Sequence, residues 1–274
     1  MRTRVTRDPT GYRRTGWVFW ALGGLLLIFI ILPLVVTIVD GGWSGLAKVA
    51  REWGVLRSIA ITFLAAFIAT AIAFALGTPL AYQLARRDFP GKSVVQGLVD
   101  VPLVIPHTAA GIALLMVFGR QGLIGKPFAG VGLFFTENLA GIVIAMLFVS
   151  LPLFVGSAQA AFGLVDTRLE YVARTLGASP WRSFFRVALP LAGRGLMAGG
   201  VLMWARGISE FGAIVILAYN PKTISVLTYE LFSGYGLSVA LPVTALLILI
   251  ALVILVVFRL LLPSRAAGSR WRRD

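Results

Sequence analysis

The sequence predicts an all-α, polytopic transmembrane helical bundle of about six spans, with a short pair of cytoplasmic helices between the fourth and fifth. Three observations carry this reading. Of 274 residues, 58% are hydrophobic and only 13% are charged, and the mean hydropathy is +0.90; a soluble domain carries roughly twice that charge fraction. The apolar residues come in blocks of the ~20 needed to cross a bilayer core as a helix. The basic residues lie between those blocks and are shared unequally between the two sides, as orientation determinants are.

A basic tail over residues 1–16 leads into the first block, residues 17–39, which carries no charge. That block is too long for a signal-peptide core and no A-x-A site follows it, so it is expected to remain as an anchor. The second block, 58–85, is also uncharged, and Ala65, Ala69, Ala73 and Gly77 form a ladder of small residues at four-residue spacing. Such ladders let helix backbones approach closely in lipid, and this one is expected to pack inside a single bundle rather than as a dimer seam. The third block, 93–119, holds only Asp100, and the fourth, 138–165, is uncharged. Pro102, Pro106 and Pro152 predict kinks in them. The fifth, 191–218, contains Arg194, Arg206 and Glu210 and repeats the small-residue spacing at Gly195 and Gly199. The sixth, 231–258, is uncharged and is followed by a basic tail, 263–274.

Six spans put both termini on one side. That side holds sixteen basic residues: five in the first tail, Arg86, Arg87 and Lys92, then Arg168, Arg174, Arg182 and Arg186, and four in the last tail. The other side holds five: Lys48, Arg51, Arg120, Lys126 and Lys222. The positive-inside rule places both termini in the cytosol of a multi-pass cell-membrane protein. It also accounts for the net charge of +14 without nucleic acid, whose recognition needs basic and stacking residues on one folded face. The chain has no cysteine and one histidine, His107, which argues against a disulfide framework and against a multi-histidine metal site.

The segment 166–187 is polar enough to stand out between two apolar blocks. Asp166 is placed to cap a helix running to about Leu176, and Gly177 to end it in a left-handed conformation. Ser179 and Pro180 then form an N-cap with proline in the first turn. The second short helix carries Trp181, Phe184 and Phe185 and leads to Pro190 at the mouth of the fifth span. Two uses fit this pair: a membrane-surface element with Arg182 and Arg186 on lipid head groups, or a rigid knob that docks into a soluble partner.

The same segment resembles the cytoplasmic EAA loop of ABC importer permeases: E-A-A, three residues, glycine, nine residues, then I-x-L-P. Tyr171, Val172 and Ala173 stand at the first three places, Gly177 at the glycine, and Val187, Leu189 and Pro190 at the end. Tyr171 replaces the family's glutamate, and Glu170 lies one place earlier. The resemblance covers residues 55–262. The stretches VPLVIPHTAAGIALLMVFGRQGLIG and ARGISEFGAIVILAYNPKTISVLTYE resemble the molybdate and tungstate branch of these permeases, and sulfate permeases less closely. Membership would imply a permease core over 55–262 working with a second copy of itself. It would also imply two ATP-binding subunits on the cytosolic side and an oxyanion-binding protein outside. Glu170, Tyr171, Ala173, Gly177, Leu189 and Pro190 would then couple the permease to ATP. No cofactor is expected in this chain, with ATP and Mg held by the partner subunit. Consistent with that, the lone GKS at residues 91–93 has Arg86 where a phosphate-binding loop needs glycine, so no enzyme active site is expected.

Charges inside the bilayer cost at least a few kcal/mol and mark candidate sites. Arg206 and Glu210 are four apart on the expected fifth helix and could simply neutralise each other. They could equally line or gate a pathway with His107 and Ser209. By helical rise, Arg206 and His107 lie roughly 22 Å and 21 Å from the cytosolic starts of their helices, hence level with one another. Gly207, Ser209 and Gly212 would leave room for a passing solute. An alternative function, an ion-coupled secondary transporter with Asp100, Arg206 and Glu210 as a relay, would favour inverted internal repeats; none is evident, and it leaves 166–187 without a purpose.

Overall fold

A computed structural model describes the backbone of residues 9–261 and the side chains of 17–258 and 260. The tail charges Arg2, Arg4, Arg7, Arg265, Arg270, Arg272 and Arg273, and the side chains of Arg13 and Arg14, lie outside the described residues. Among the described residues every element is helical. The chain divides into two compact units, Met1–Glu52 with Leu231–Asp274, and Trp53–Glu230.

The first unit contains α1 (Pro9–Asp40), α2 (Trp43–Val49) and α13 (Leu237–Leu261). α13 packs on both others. Gly41 and Gly45 make this possible: a Cβ on Gly41 would lie 2.8 Å from that of Ala245, and one on Gly45 3.1 Å from the Pro242 ring. In the Trp17–Asp40 span no residue is buried, so its apolar side chains face outward all round.

The second unit contains α3 (Trp53–Arg86), α4 (Lys92–Val104), α5 (His107–Phe118), α6 (Gly125–Ala129), α7 (Leu139–Leu164), α8 (Thr167–Thr175), α9 (Pro180–Ser183), a π-turn (Phe184–Ala188), α10 (Leu189–Ile208) and α11 (Gly212–Leu217). It also holds the first part of α12 (Ile224–Tyr235). Its core is three long helices. Gly77 on α3 meets Phe154 and Val155 on α7, while Gly207 on α10 meets Ala66 and Met146. α3 and α7 therefore run side by side in the same direction. α10 runs opposite, with Gly195 against Ala161 and Gly199 against Ser157. The predicted ladder residues Ala65, Ala69, Ala73 and Gly77 are all buried in this packing, so close approach inside one bundle is what the small residues serve.

Three expected spans differ from the observed elements. The third is broken: α4 and α5 meet at 115°. Pro106 is the cause, since it supplies no amide and holds Ile105 extended (ψ 144°). The pair still crosses from one end of the bundle to the other. Gln96 and Val99 of α4 share a cavity with Leu84 near the end of α3, whereas Phe118 at the end of α5 touches Phe135 just before α7. α7, by contrast, continues through Pro152. The fifth expected span ends at Ile208, and α11 resumes after a break at residues 209–211. The sixth starts at Leu237 rather than residue 231, because Gly236 (φ +82°) ends α12 and turns the chain into α13.

Asn138 caps α7 by accepting the Gly141 amide at 3.0 Å. Beside it, the Glu137 carboxylate accepts the amides of Tyr219 (3.3 Å) and Asn220 (3.1 Å) and so ties the start of α7 to the segment after α11.

Candidate functional site

The polar loop folds as its sequence predicts. The Asp166 carboxylate caps α8 through the Arg168 amide at 2.9 Å, and the Ser179 hydroxyl caps α9 through the Arg182 amide at 3.3 Å. Gly177 is left-handed (φ +87°). Its amide donates to the Arg174 carbonyl, and that of Ala178 donates to the Ala173 carbonyl, the paired closure of a Schellman turn. Beyond Ser179 the chain departs from expectation. α9, the π-turn and α10 form one unbroken helix, Pro180–Ile208, which runs through Leu189 and Pro190. Pro190 cannot donate to the Arg186 carbonyl, and the wider π-turn just before it carries the helix past the missing bond. Tyr171, Leu176, Trp181 and Phe185 leave the loop with an exposed apolar face.

Glu170 stands one place before the glutamate of the EAA pattern. It points inward. Its carboxylate accepts from Arg86 Nε at 2.8 Å and from the Tyr82 hydroxyl, and lies 2.7 Å from Arg86 Nη2 as an ion pair. Arg86 also donates to the Val165 carbonyl at 3.0 Å. Arg86 and Tyr82 thus pin the loop to the end of α3. Sequence reading counted Arg86 only as an orientation charge; its spacing of 84 residues from Glu170 leaves no local signal. The same contact fixes both basic connections at one end of the bundle.

At the far end of α10 the structure brings His107, Arg206, Ser209 and Glu210 together. Glu210 is not on the helix with Arg206 but in the break after it. Its side chain is 1% exposed, and three donors reach it. They are His107 Nδ1 at 2.7 Å, Arg206 Nη2 at 3.1 Å and the Ala213 amide at 2.9 Å. The last satisfies an orphan amide at the start of α11. Arg206 Nη2 lies 2.9 Å from both ring nitrogens of His107, so with Nδ1–H donating to Glu210 only Nε2 is left to accept from it. Arg206 Nη1 also donates to the Ser209 hydroxyl at 3.4 Å. The Ser225 hydroxyl donates to the Glu210 carbonyl at 2.7 Å, and the Ile224 amide to Thr62 Oγ1 at 2.9 Å, bringing the start of α12 beside the break. Glu210 is therefore enclosed with donors on both oxygens, while Arg206 and His107 keep 27% and 36% of their side chains exposed and Ser209 is exposed.

The small residues here do not leave an open gap. A Cβ on Gly212 would lie 2.7 Å from that of His107, and one on Gly207 would contact Ala66. Both let helices close on the charged cluster. Asp100 stands apart, beside Gln96 and Gln159 in a second cavity of about 290 Å³, with no ion pair among the described residues.

Comparison with known proteins gives three findings. Residues 73–264 match the family of binding-protein-dependent transport system inner membrane components. The chain is 42% identical to the molybdate/tungstate transport system permease protein of Thermococcus kodakarensis over 265 residues, covering 96% of this chain and 100% of that one. It is equally similar to its namesake in Pyrococcus abyssi, over 90% and 96% of the two chains. In fold it is similar to a subunit of a bacterial ABC transporter that imports the acidic polysaccharide alginate, with a TM-score of 0.72, 16% identity and coverage of 93% and 98%.

Proposed function

The chain belongs to the binding-protein-dependent transport system inner membrane components, and on that premise we propose that it carries molybdate or tungstate into the cytoplasm. It is a membrane-spanning permease subunit of an ABC transporter. The full-length identity of 42% to permeases named for molybdate and tungstate is the observation that carries the substrate. The cluster after α10 supplies chemistry to match. Arg206 offers hydrogen-bond donors to a tetrahedral oxyanion, the exposed Ser209 hydroxyl lies beside it, and Glu210 holds Arg206 and His107 in place. Because Glu210 offsets the arginine charge, an arriving anion is bound weakly enough to be released, as passage requires.

In this proposal the permease pairs with a second copy, and ATP and Mg belong to two partner subunits that receive the Gly177 corner with the exposed Val172 and Leu176 beside it. An oxyanion-binding protein delivers solute on the opposite side. The loop and both termini are cytosolic, in keeping with the sixteen basic residues on that side. The test is reconstitution of the complete complex in vesicles. Molybdate or tungstate, with the binding protein, is expected to stimulate both ATP turnover and uptake, and sulfate to stimulate neither comparably. Stimulation by sulfate alone would overturn the substrate assignment while leaving the family intact.

A further inference from the structure

A cavity of about 740 Å³ lies between the last turns of α3 and the loop helices, away from the charged cluster after α10. Its lining is divided. Phe74, Trp181 and Phe185 make an apolar wall, and Arg86, Arg87 and Arg174 supply positive charge. Glu170 also lines it, but its carboxylate is already held by Arg86 and Tyr82. Neither Arg87 nor Arg174 has a side-chain hydrogen bond or ion pair among the described residues. The cavity therefore carries two uncompensated cations beside an aromatic wall.

A third feature lies at its wall. Thr62 and Thr70, on the same helix, each donate to the carbonyl four residues back, at 2.7 and 2.8 Å. Thr78 does not. It is 6% exposed, lines the cavity, and its hydroxyl has no partner. A buried hydroxyl left unsatisfied costs free energy, and one that forgoes its usual helical acceptor is available to an incoming oxygen.

Cations at the rim, one buried hydroxyl below them and an aromatic wall match one class of ligand. We propose that this cavity binds an anionic phospholipid. Its phosphate sits on Arg87 and Arg174, a glycerol-ester oxygen reaches Thr78, and the upper acyl chain lies along Phe74, Trp181 and Phe185. A phosphate at a guanidinium pair makes charge-assisted hydrogen bonds, and basic pockets at the ends of membrane helices are suited to anionic head groups. Because the cavity is walled by α3 on one side and by the loop on the other, the lipid bridges the bilayer and the loop that Glu170 anchors.

The test uses the full-length chain, delipidated in mild detergent and followed by native mass spectrometry. It is titrated separately with phosphatidylglycerol, phosphatidylcholine and inorganic phosphate. One phosphatidylglycerol is expected to bind saturably and in preference to phosphatidylcholine. Arg87→Gln with Arg174→Gln should weaken that binding about 30-fold, given the contribution of each basic residue near an anionic head group. Arg87→Lys with Arg174→Lys should retain most of it. Arg182→Gln with Arg186→Gln removes the same charge from the loop outside the cavity and should leave binding unchanged. A phosphatidylglycerol with brominated acyl chains should quench tryptophan emission in the wild type and measurably less in Trp181→Phe. Equal binding of both lipids, or equal loss in the two glutamine variants, would overturn the proposal as diffuse surface charge. Displacement of lipid by inorganic phosphate would overturn it in favour of a soluble anion. Exclusion of lipid from the assembled transporter would assign the cavity to a protein partner instead.

Discussion

Glu170 and Glu210 are both buried carboxylates held by an arginine, and each has a second side-chain donor, Tyr82 for one and His107 for the other. The arginines differ. Arg86 is 10% exposed and spends a further donor on the Val165 carbonyl, so the pair at the loop is closed. Arg206 is 27% exposed, and its Nη1 faces an exposed serine. With the acid kept alike, the outlet left to the cation separates a fastening from a surface that can meet a solute. Lys222 and Glu230 form a third version, 2.6 Å apart with both side chains about one-third exposed, where water screens most of the interaction.

The strongest challenge to this contrast is to break the deepest pair. Glu210→Met alone leaves Arg206 and His107 without their acceptor and is expected to cost about 3–5 kcal/mol, as loss of one partner of a buried pair does. The yield of folded protein should collapse in size-exclusion chromatography. Arg206→Met with Glu210→Met should restore the fold but not uptake. Wild-type uptake by the double variant would make the cluster a fastening like the other. At the loop, Glu170→Gln keeps the shape and removes the charge, at an expected cost of about 1.5–3 kcal/mol. The transporter should assemble but hydrolyse more ATP per anion moved; unchanged stoichiometry would show that the fastening is dispensable.

Gly177 tests the loop surface instead of its anchor. Valine in a left-handed conformation costs about 1–2 kcal/mol, so Gly177→Val should insert normally yet lose uptake, while Gly177→Asn should be milder. Equal uptake in the two would remove the argument from backbone geometry. The smallest effect belongs to the exposed pair. The Lys222 hydrogen bond, helped by that of Tyr219, outweighs burial and holds the Glu230 carboxyl below its usual range. The same hydrogen bond, with burial, raises the Tyr219 phenol. A carboxyl depressed in the folded state stabilises above its unfolded pKa, about 4.3, and that contribution is lost as pH falls through the lower folded value. Thermal unfolding of wild type and Glu230→Gln should therefore diverge slightly at neutral pH and converge in acid. Convergence at neutral pH instead would reverse the sign.

Much of this was readable from the chain because it is local. The Asp166 and Ser179 caps, the Gly177 turn and the small-residue ladder each rest on spacings of a few residues, and the structure bears them out. Depth counted along helices put His107 level with Arg206, and the two do meet. The placement of Glu210 was not legible. A four-residue spacing reads as one helical face, and nothing local announced that the helix stops at Ile208 so that the carboxylate can cap the next one. Glu137 and Arg86 were missed for another reason: their partners lie more than 80 residues away, and with one sequence such pairs leave no periodic trace. Gly212 was read as space for solute, but its missing side chain is filled by His107.

The helix Pro180–Ile208 starts in the loop and ends at the charged cluster, with 29 residues and no interruption. At 1.5 Å per residue it is about 44 Å long, so a pivot of about 5° at its middle swings each tip by about 2 Å. That is close to the difference between a hydrogen bond made and one lost. The loop and the charged cluster are thus joined by a lever arm whose gearing is set by residue count alone: adding or deleting one residue would shift the Arg206 tip by about 1.5 Å and rotate it by about 100°, out of phase with His107.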